Sequence, residues 1–204
     1  MKLYYARGTV AAAVGIALHE AGLAFEAVPL DFKADEQTRA PYRAINPKGR
    51  VPALVTGRGV LTETGAILEH VADLAPGAGL RPEDAFEAAT MRAAMYYLAS
   101  TMHVNHAHGR RGRRWADAES SLADMRARTV HTMTESAQFV EAHMLRGPFV
   151  LGAAFSLADP YLWVATGWLE GDGVALGPFP KIRAFREVMA ARPSVARIIA
   201  DGMI

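Results

Sequence analysis

Two short strand-like runs, Lys2 to Tyr5 and Phe25 to Leu30, stand on either side of an Ala-rich stretch from Val10 to Ala21. Val14, Ala17, Leu18 and Ala21 recur there at helical spacing, and Gly22 follows as a C-cap signal. A strand, a helix and a strand within the first thirty residues form a βαβ unit, whose crossover goes with parallel strands. Pro29 lacks a ladder donor, which puts the second run at a sheet edge or close to its own end. Ala53 to Val55 and Val60 to Thr62 then flank Thr56-Gly57-Arg58-Gly59, a β-hairpin signal. From Thr64 to Leu74, apolar residues at Ile67, Leu68, Val71 and Leu74 predict a helix packed on the sheet.

The order is therefore βαβ followed by ββα, and it stops at Pro76-Gly77-Ala78-Gly79 and Arg81-Pro82. Phe86 to His108 and Ser121 to Met144 beyond it are long helical patterns, followed by shorter ones near 157–170, 180–191 and 194–201. This predicts an α/β domain over residues 1–78, a linker over 79–85 and an all-α domain over 86–204. No internal repeat or low-complexity tract is present.

With 51% hydrophobic residues among 204, the chain can bury a substantial core. Twenty-two Lys and Arg against twenty-one Asp and Glu create no field that implies a nucleic-acid or membrane partner. Neither a signal segment nor a membrane-length apolar run is present, which predicts a cytoplasmic protein. The chain has no cysteine, so disulfides, thiolate metal sites and a cysteine nucleophile of its own are excluded.

Three segments taken together are distinctive: Ala44-Ile45-Asn46-Pro47-Lys48-Gly49-Arg50-Val51-Pro52-Ala53-Leu54, then Leu61-Thr62-Glu63-Thr64-Gly65-Ala66-Ile67, then Phe155-Ser156-Leu157-Ala158-Asp159. With the opening Met1-Lys2-Leu3-Tyr4-Tyr5, they resemble the glutathione S-transferase family, particularly its bacterial beta-class-like members. The resemblance implies a thioredoxin-like domain that binds glutathione and a helical domain that forms most of a second-substrate pocket. It implies a cis Val51-Pro52 bond, and a Val51 backbone that pairs with the cysteinyl part of glutathione as a strand edge would.

Glu63-Thr64 precedes a helix, where the Thr64 hydroxyl and N–H suit the γ-glutamyl carboxylate and Glu63 suits its ammonium. The alternative for Thr64 is a plain N-cap. Lys33 and Arg50 are candidates for the glycyl carboxylate, although Arg50 stands where the family often has glutamine. The beta-class cysteine position aligns with Val10, and its following serine with Ala11. The reactive thiol must therefore come from glutathione, and stabilising its thiolate is the main task. Thr9 is the foremost donor candidate, with an N-cap role as its alternative; Tyr5 comes next and Arg7 is close by.

His103 aligns with a beta-class histidine that faces the active site, with a packed helix histidine as its alternative. His106 shares its helix face, but no third ligand at a suitable spacing supports a metal site. Arg110 to Arg114 is read as solvated cations at a helix C-terminus, as a rim for anionic substrates or, last, as a nucleic-acid contact, with Arg7, His106 and Arg110 placed on the second-substrate side. Ser156 and Asp159 form a capping-box arrangement with a structural role. The chain is thus expected to be a homodimeric glutathione transferase without a metal, joining reduced glutathione to a small hydrophobic or anionic electrophile. Related isomerase, dehalogenase or peroxidase activity, or ligand binding without catalysis, remains as the alternative.

Overall fold

The structure, a computed structural model describing residues 1–204, begins with β1 (Lys2–Tyr5), α1 (Ala11–Glu20) and β2 (Glu26–Pro29). A short α2 (Ala40–Arg43) leads to β3 (Ala53–Thr56), β4 (Gly59–Thr62) and α3 (Thr64–Leu74). The sheet order is β2-β1-β3-β4, with β2 parallel and β3 antiparallel to β1, and β3 antiparallel to β4. Both expectations for Pro29 hold: β2 is an edge strand and Pro29 is its last residue. Two residues, Gly57 and Arg58, turn the hairpin between the paired Thr56 and Gly59.

Every remaining helix lies C-terminal to the sheet: α4 (Ala85–Tyr97), α5 (His103–Arg111), α6 (Glu119–Phe139), α7 (Ala158–Gly167), α8 (Pro180–Ala190) and α9 (Pro193–Ala200). The long pattern from Phe86 to His108 is one helical rod interrupted by a π-helical turn at Leu98–Met102, for which the sequence carries no signal.

Residues 11–18 of α1 are all buried. A helix that is apolar all round needs cover on all sides. It packs on β1 and α3 within the sheet layer and on α7 and α9 from the helical region. Small side chains permit this: a Cβ added at Gly15 would lie 2.5 Å from Ile198 Cδ1. Gly22, at φ +65, ends the helix in the left-handed conformation that glycine adopts without strain.

Polar clips also join the two halves. Arg192 donates to both carboxylate oxygens of Glu20 at 2.7 Å, and its guanidinium lies 4.0 Å from the Phe155 ring centroid. Asp159 is fully buried in the first turn of α7; it accepts the Val150 N–H at 2.8 Å, the Ser156 N–H at 2.7 Å and the Ser156 hydroxyl at 3.0 Å. This is half of a capping box, since the carboxylate reaches back to the Ser156 N–H while the hydroxyl bonds the carboxylate instead of a helix N–H. Burial pushes the Asp159 carboxyl up to about 6 despite those donors.

Replacing Asp159 with alanine strands two buried N–H donors. The expected loss of stability is upwards of about 2 kcal/mol in denaturant unfolding. A loss below about 0.5 kcal/mol would show that the clip is dispensable.

Candidate active site

A cavity of about 600 Å³ lies where the ends of α1 and α3 meet α4 and α5. Its floor is built by the loop before β3. Asn46, nearly fully buried, donates from its side-chain amide to the Arg50 carbonyl at 2.6 Å, which also accepts the Tyr42 hydroxyl at 2.6 Å. Gly49 holds φ +61, and a Cβ there would lie 2.8 Å from the Gln37 carbonyl oxygen, so this turn requires glycine. The loop delivers Val51, whose peptide bond to Pro52 is cis and whose N–H and C=O make no hydrogen bond within the chain. Val51 and Pro52 both line the cavity.

Glu63 adopts φ +69 immediately before α3, an uncommon conformation for a residue with a Cβ. Thr64, Gly65 and Ala66 follow it along the cavity wall, and their backbone N–H groups have no acceptor in the chain. Thr64 is not the N-cap, because Glu63 occupies that position and makes no capping bond. Lys48 also lines the cavity; it donates to the Thr62 hydroxyl at 2.7 Å and pairs with the Glu63 carboxylate.

Thr9 and Val10 bring the start of α1 to the same space. The Thr9 hydroxyl donates to the Ala6 carbonyl at 2.6 Å and does not cap the helix, whose N-cap is Val10. Neither Val10 nor Ala11 has an acceptor for its backbone N–H, so the positive end of α1 is unsatisfied there. Two contacts fix this loop from the helical region. The Trp168 indole N–H donates to the Gly8 carbonyl at 3.1 Å, and the Gly8 N–H donates to the Met203 carbonyl at 2.9 Å.

His103, Ala107 and Arg111 present one face of α5 to the cavity, joined by Arg114 and Trp168. Burial, then the nearby charges of Arg111, His106, Arg114 and Arg50, hold His103 down to about 3, so the imidazole is neutral at ordinary pH. Burial and mutual repulsion also lower Arg111, and Arg114 is brought to about 10.

Several expected residues are absent from the cavity wall. Tyr5 is buried in the core and donates its hydroxyl to the Asp201 carbonyl at 3.3 Å. Arg7 is exposed and reaches the Ile204 carbonyl, and exposed Lys33 sits in a turn capped by Asp31. Buried His106 bonds Asp172 at 2.7 Å and stacks on Trp168, with ring centroids 4.4 Å apart. Arg110 is exposed beside Gly171, and Arg111 and Arg114 take the place expected for it. Lys48 was within reach of sequence reasoning, because it stands in the same motif as Arg50. Trp168 was not, since only tertiary packing brings it to Gly8.

The N-terminal domain of glutathione S-transferases matches residues 1–73 and the C-terminal domain matches residues 126–200. Glutathione S-transferase GstA of Escherichia coli O157:H7 is 30% identical over 207 residues, covering the whole of both chains. A maleylacetoacetate isomerase of Pseudomonas aeruginosa is 31% identical over 200 residues, covering 95% of this chain and 93% of its own. The crystal structure of a glutathione transferase homologue from Sulfitobacter with bound glutathione superposes with a TM-score of 0.98 at 55% identity, covering 100% of this chain and 98% of that one. Relatives of this identity match from end to end and share the same sheet and helices, and the chain belongs to the glutathione S-transferase family.

Proposed function

We propose that this protein binds reduced glutathione across Val51 and the N-terminus of α3, holds its sulfur as a thiolate at the N-terminus of α1, and adds that sulfur to a small electrophile. The observation that carries this reading is that backbone groups of Val51, Thr64 to Ala66 and Val10, all without partners in the chain, open into one cavity. A relative of 55% identity binds glutathione on the same fold.

In this reading the Val51 N–H and C=O pair with the cysteinyl backbone as an added strand would. The Thr64 hydroxyl and the first N–H groups of α3 take the γ-glutamyl carboxylate, and Glu63, steadied by Lys48, takes the ammonium. Arg50 takes the glycyl carboxylate. The only proton of the Thr9 hydroxyl already goes to Ala6, so the Val10 N–H and the positive end of α1 carry more of the thiolate charge. Neutral His103 adds a polar edge beside it. The thiol proton leaves to solvent, the sulfur pair forms the new S–C bond, and the leaving group departs with its own electron pair.

A second reading is favoured by Arg111 and Arg114 on the cavity wall together with the likeness to a maleylacetoacetate isomerase. Here the thiolate adds to a double bond of an anionic substrate, rotation follows about the resulting single bond, and the thiolate is expelled. Counting thiols separates the two readings: conjugation consumes one glutathione per turnover and isomerisation consumes none. Homodimerisation belongs to the same proposal, with Phe86, 73% exposed on α4, as apolar surface available for it. Light scattering is expected to give twice the chain mass of 22.0 kDa, and a single mass would refute the dimer.

Thr64→Ala is expected to weaken glutathione binding about ten- to a hundredfold, the cost of a hydrogen bond to a charged group. Its effect on stability should stay within about 0.5 kcal/mol, because Thr64 caps nothing. Calorimetric titration and unfolding measure both, and unchanged affinity would remove glutathione from the α3 terminus.

Thr9→Val tests the thiolate donor. The thiol pKa of bound glutathione, read from thiolate absorbance against pH, should rise by less than about one unit. A rise to about 8.5, the free-thiol value, would make Thr9 the principal donor.

A further inference from the structure

A second recess of about 500 Å³ opens beside the main cavity, sharing Phe32, Lys48, Arg50, Arg111 and Arg114 with it. Arg43 completes its charged wall, and no acidic side chain lines it. Lys48 is committed to Glu63 and Thr62. None of the four arginines has a carboxylate within ion-pair distance; what sets them apart from other unpaired arginines of the chain is that all four line one recess with no acidic side chain.

Four unpaired guanidinium groups around one partly enclosed space repel one another, and burial weakens the water screening that would relieve them. Burial first, and then the charges of neighbouring arginines, depress the ionisation of Arg111 and Arg114. A single glycyl carboxylate at Arg50 offsets one of the four charges and leaves three. Guanidinium forks bind carboxylate and phosphate oxygens bidentately, so the surplus suits a compact group bearing several charged oxygens. Because the two spaces share a wall, one ligand can place such a group in the recess while its reactive carbon stays in the main cavity.

We infer that the recess is an anion subsite for the second substrate, whose far end carries a compact group with at least two negative charges, such as a phosphate ester, a diphosphate or a vicinal dicarboxylate. The inference rests on glutathione occupying the main cavity as proposed above. Retention of the wild-type protein on immobilised glutathione checks that premise separately, and its failure would count against the proposed function without bearing on the charge of the recess.

The test uses the full chain saturated with S-methylglutathione and titrated calorimetrically with inorganic pyrophosphate at fixed ionic strength. Binding at one site is expected, weakened about tenfold or more by Arg111→Gln and by Arg114→Gln. Without pyrophosphate, neither variant should melt below the wild type, because each relieves repulsion. Should one fail to fold, Arg114→Lys keeps the charge without the fork and should still bind pyrophosphate more weakly. Pyrophosphate should also compete with a chloronitrobenzoate electrophile, whose carboxylate draws on the same arginines. Affinity unchanged in both Gln variants, or displacement of pyrophosphate by S-methylglutathione, would overturn the subsite. Noncompetitive inhibition would assign the recess to a separate anion and overturn its role in seating the substrate.

Discussion

Helix α1 has no solvent-facing side from residue 11 to residue 18, and the rest of the molecule is arranged around covering it. An amphipathic helix would have been satisfied by the sheet alone, leaving the helical region free to dock elsewhere. Because α1 is apolar all round, α7 and α9 must close over the face that β1 and α3 leave bare. Alanines and Gly15 keep that closure tight, since small side chains let helix backbones approach. The sandwich also fixes where the N-terminus of α1 points. Its unsatisfied N–H groups are held at the junction between the sheet domain and the helical region, where a cavity can form and a thiolate can be stabilised.

The junction is reinforced where it matters to the site. Gly8 spends both backbone groups on the helical region, giving its carbonyl to Trp168 and its N–H to Met203. Trp168 is in turn stacked on His106, which a part-buried hydrogen bond to Asp172 anchors. His106 and the C-terminal residues thus act on the site from a distance, through the conformation of the loop entering α1. On the far end of the same helix, Glu20 is clamped by Arg192, whose guanidinium also covers Phe155 next to the Asp159 clip. Both ends of α1 are therefore tied to the helical half.

Local patterns were enough to read the order of strands and helices, because each depends on neighbours within a few residues: the Ala-rich crossover, the Gly57-Arg58 turn, the Gly22 cap. The lining by Arg50, Val51, Pro52, Glu63 and Thr64 was legible for a similar reason, since two contiguous motifs carry it. The helical side of the cavity was harder. Residues three and four steps from His103 share its face of the helix, so spacing alone could not choose between His106 with Arg110 and Ala107 with Arg111. Packing against Trp168 and Asp172 made that choice, and both partners are remote in sequence. Tyr5 and Arg7 were candidates because they are near Thr9 in sequence, but the C-terminal segment claims them both.

In a chain without cysteine, the only thiol at the site is the one that glutathione brings, and its acidity must be set by fields rather than by a partner sulfur. The available groups all act in one direction. The α1 terminus offers N–H donors, Arg111 and Arg114 bring fixed positive charge, and His103 is kept neutral by burial and by those same arginines. A neutral imidazole cannot exchange its charge with the thiol over the physiological range, so the site would not switch off through histidine titration. Positive potential that favours a thiolate also favours an anionic second substrate, and both would be weakened together by salt. Under the proposed function the arginine-rich wall would set two properties at once, the nucleophile's ionisation and the charge of what it attacks, and a substitution there would disturb both.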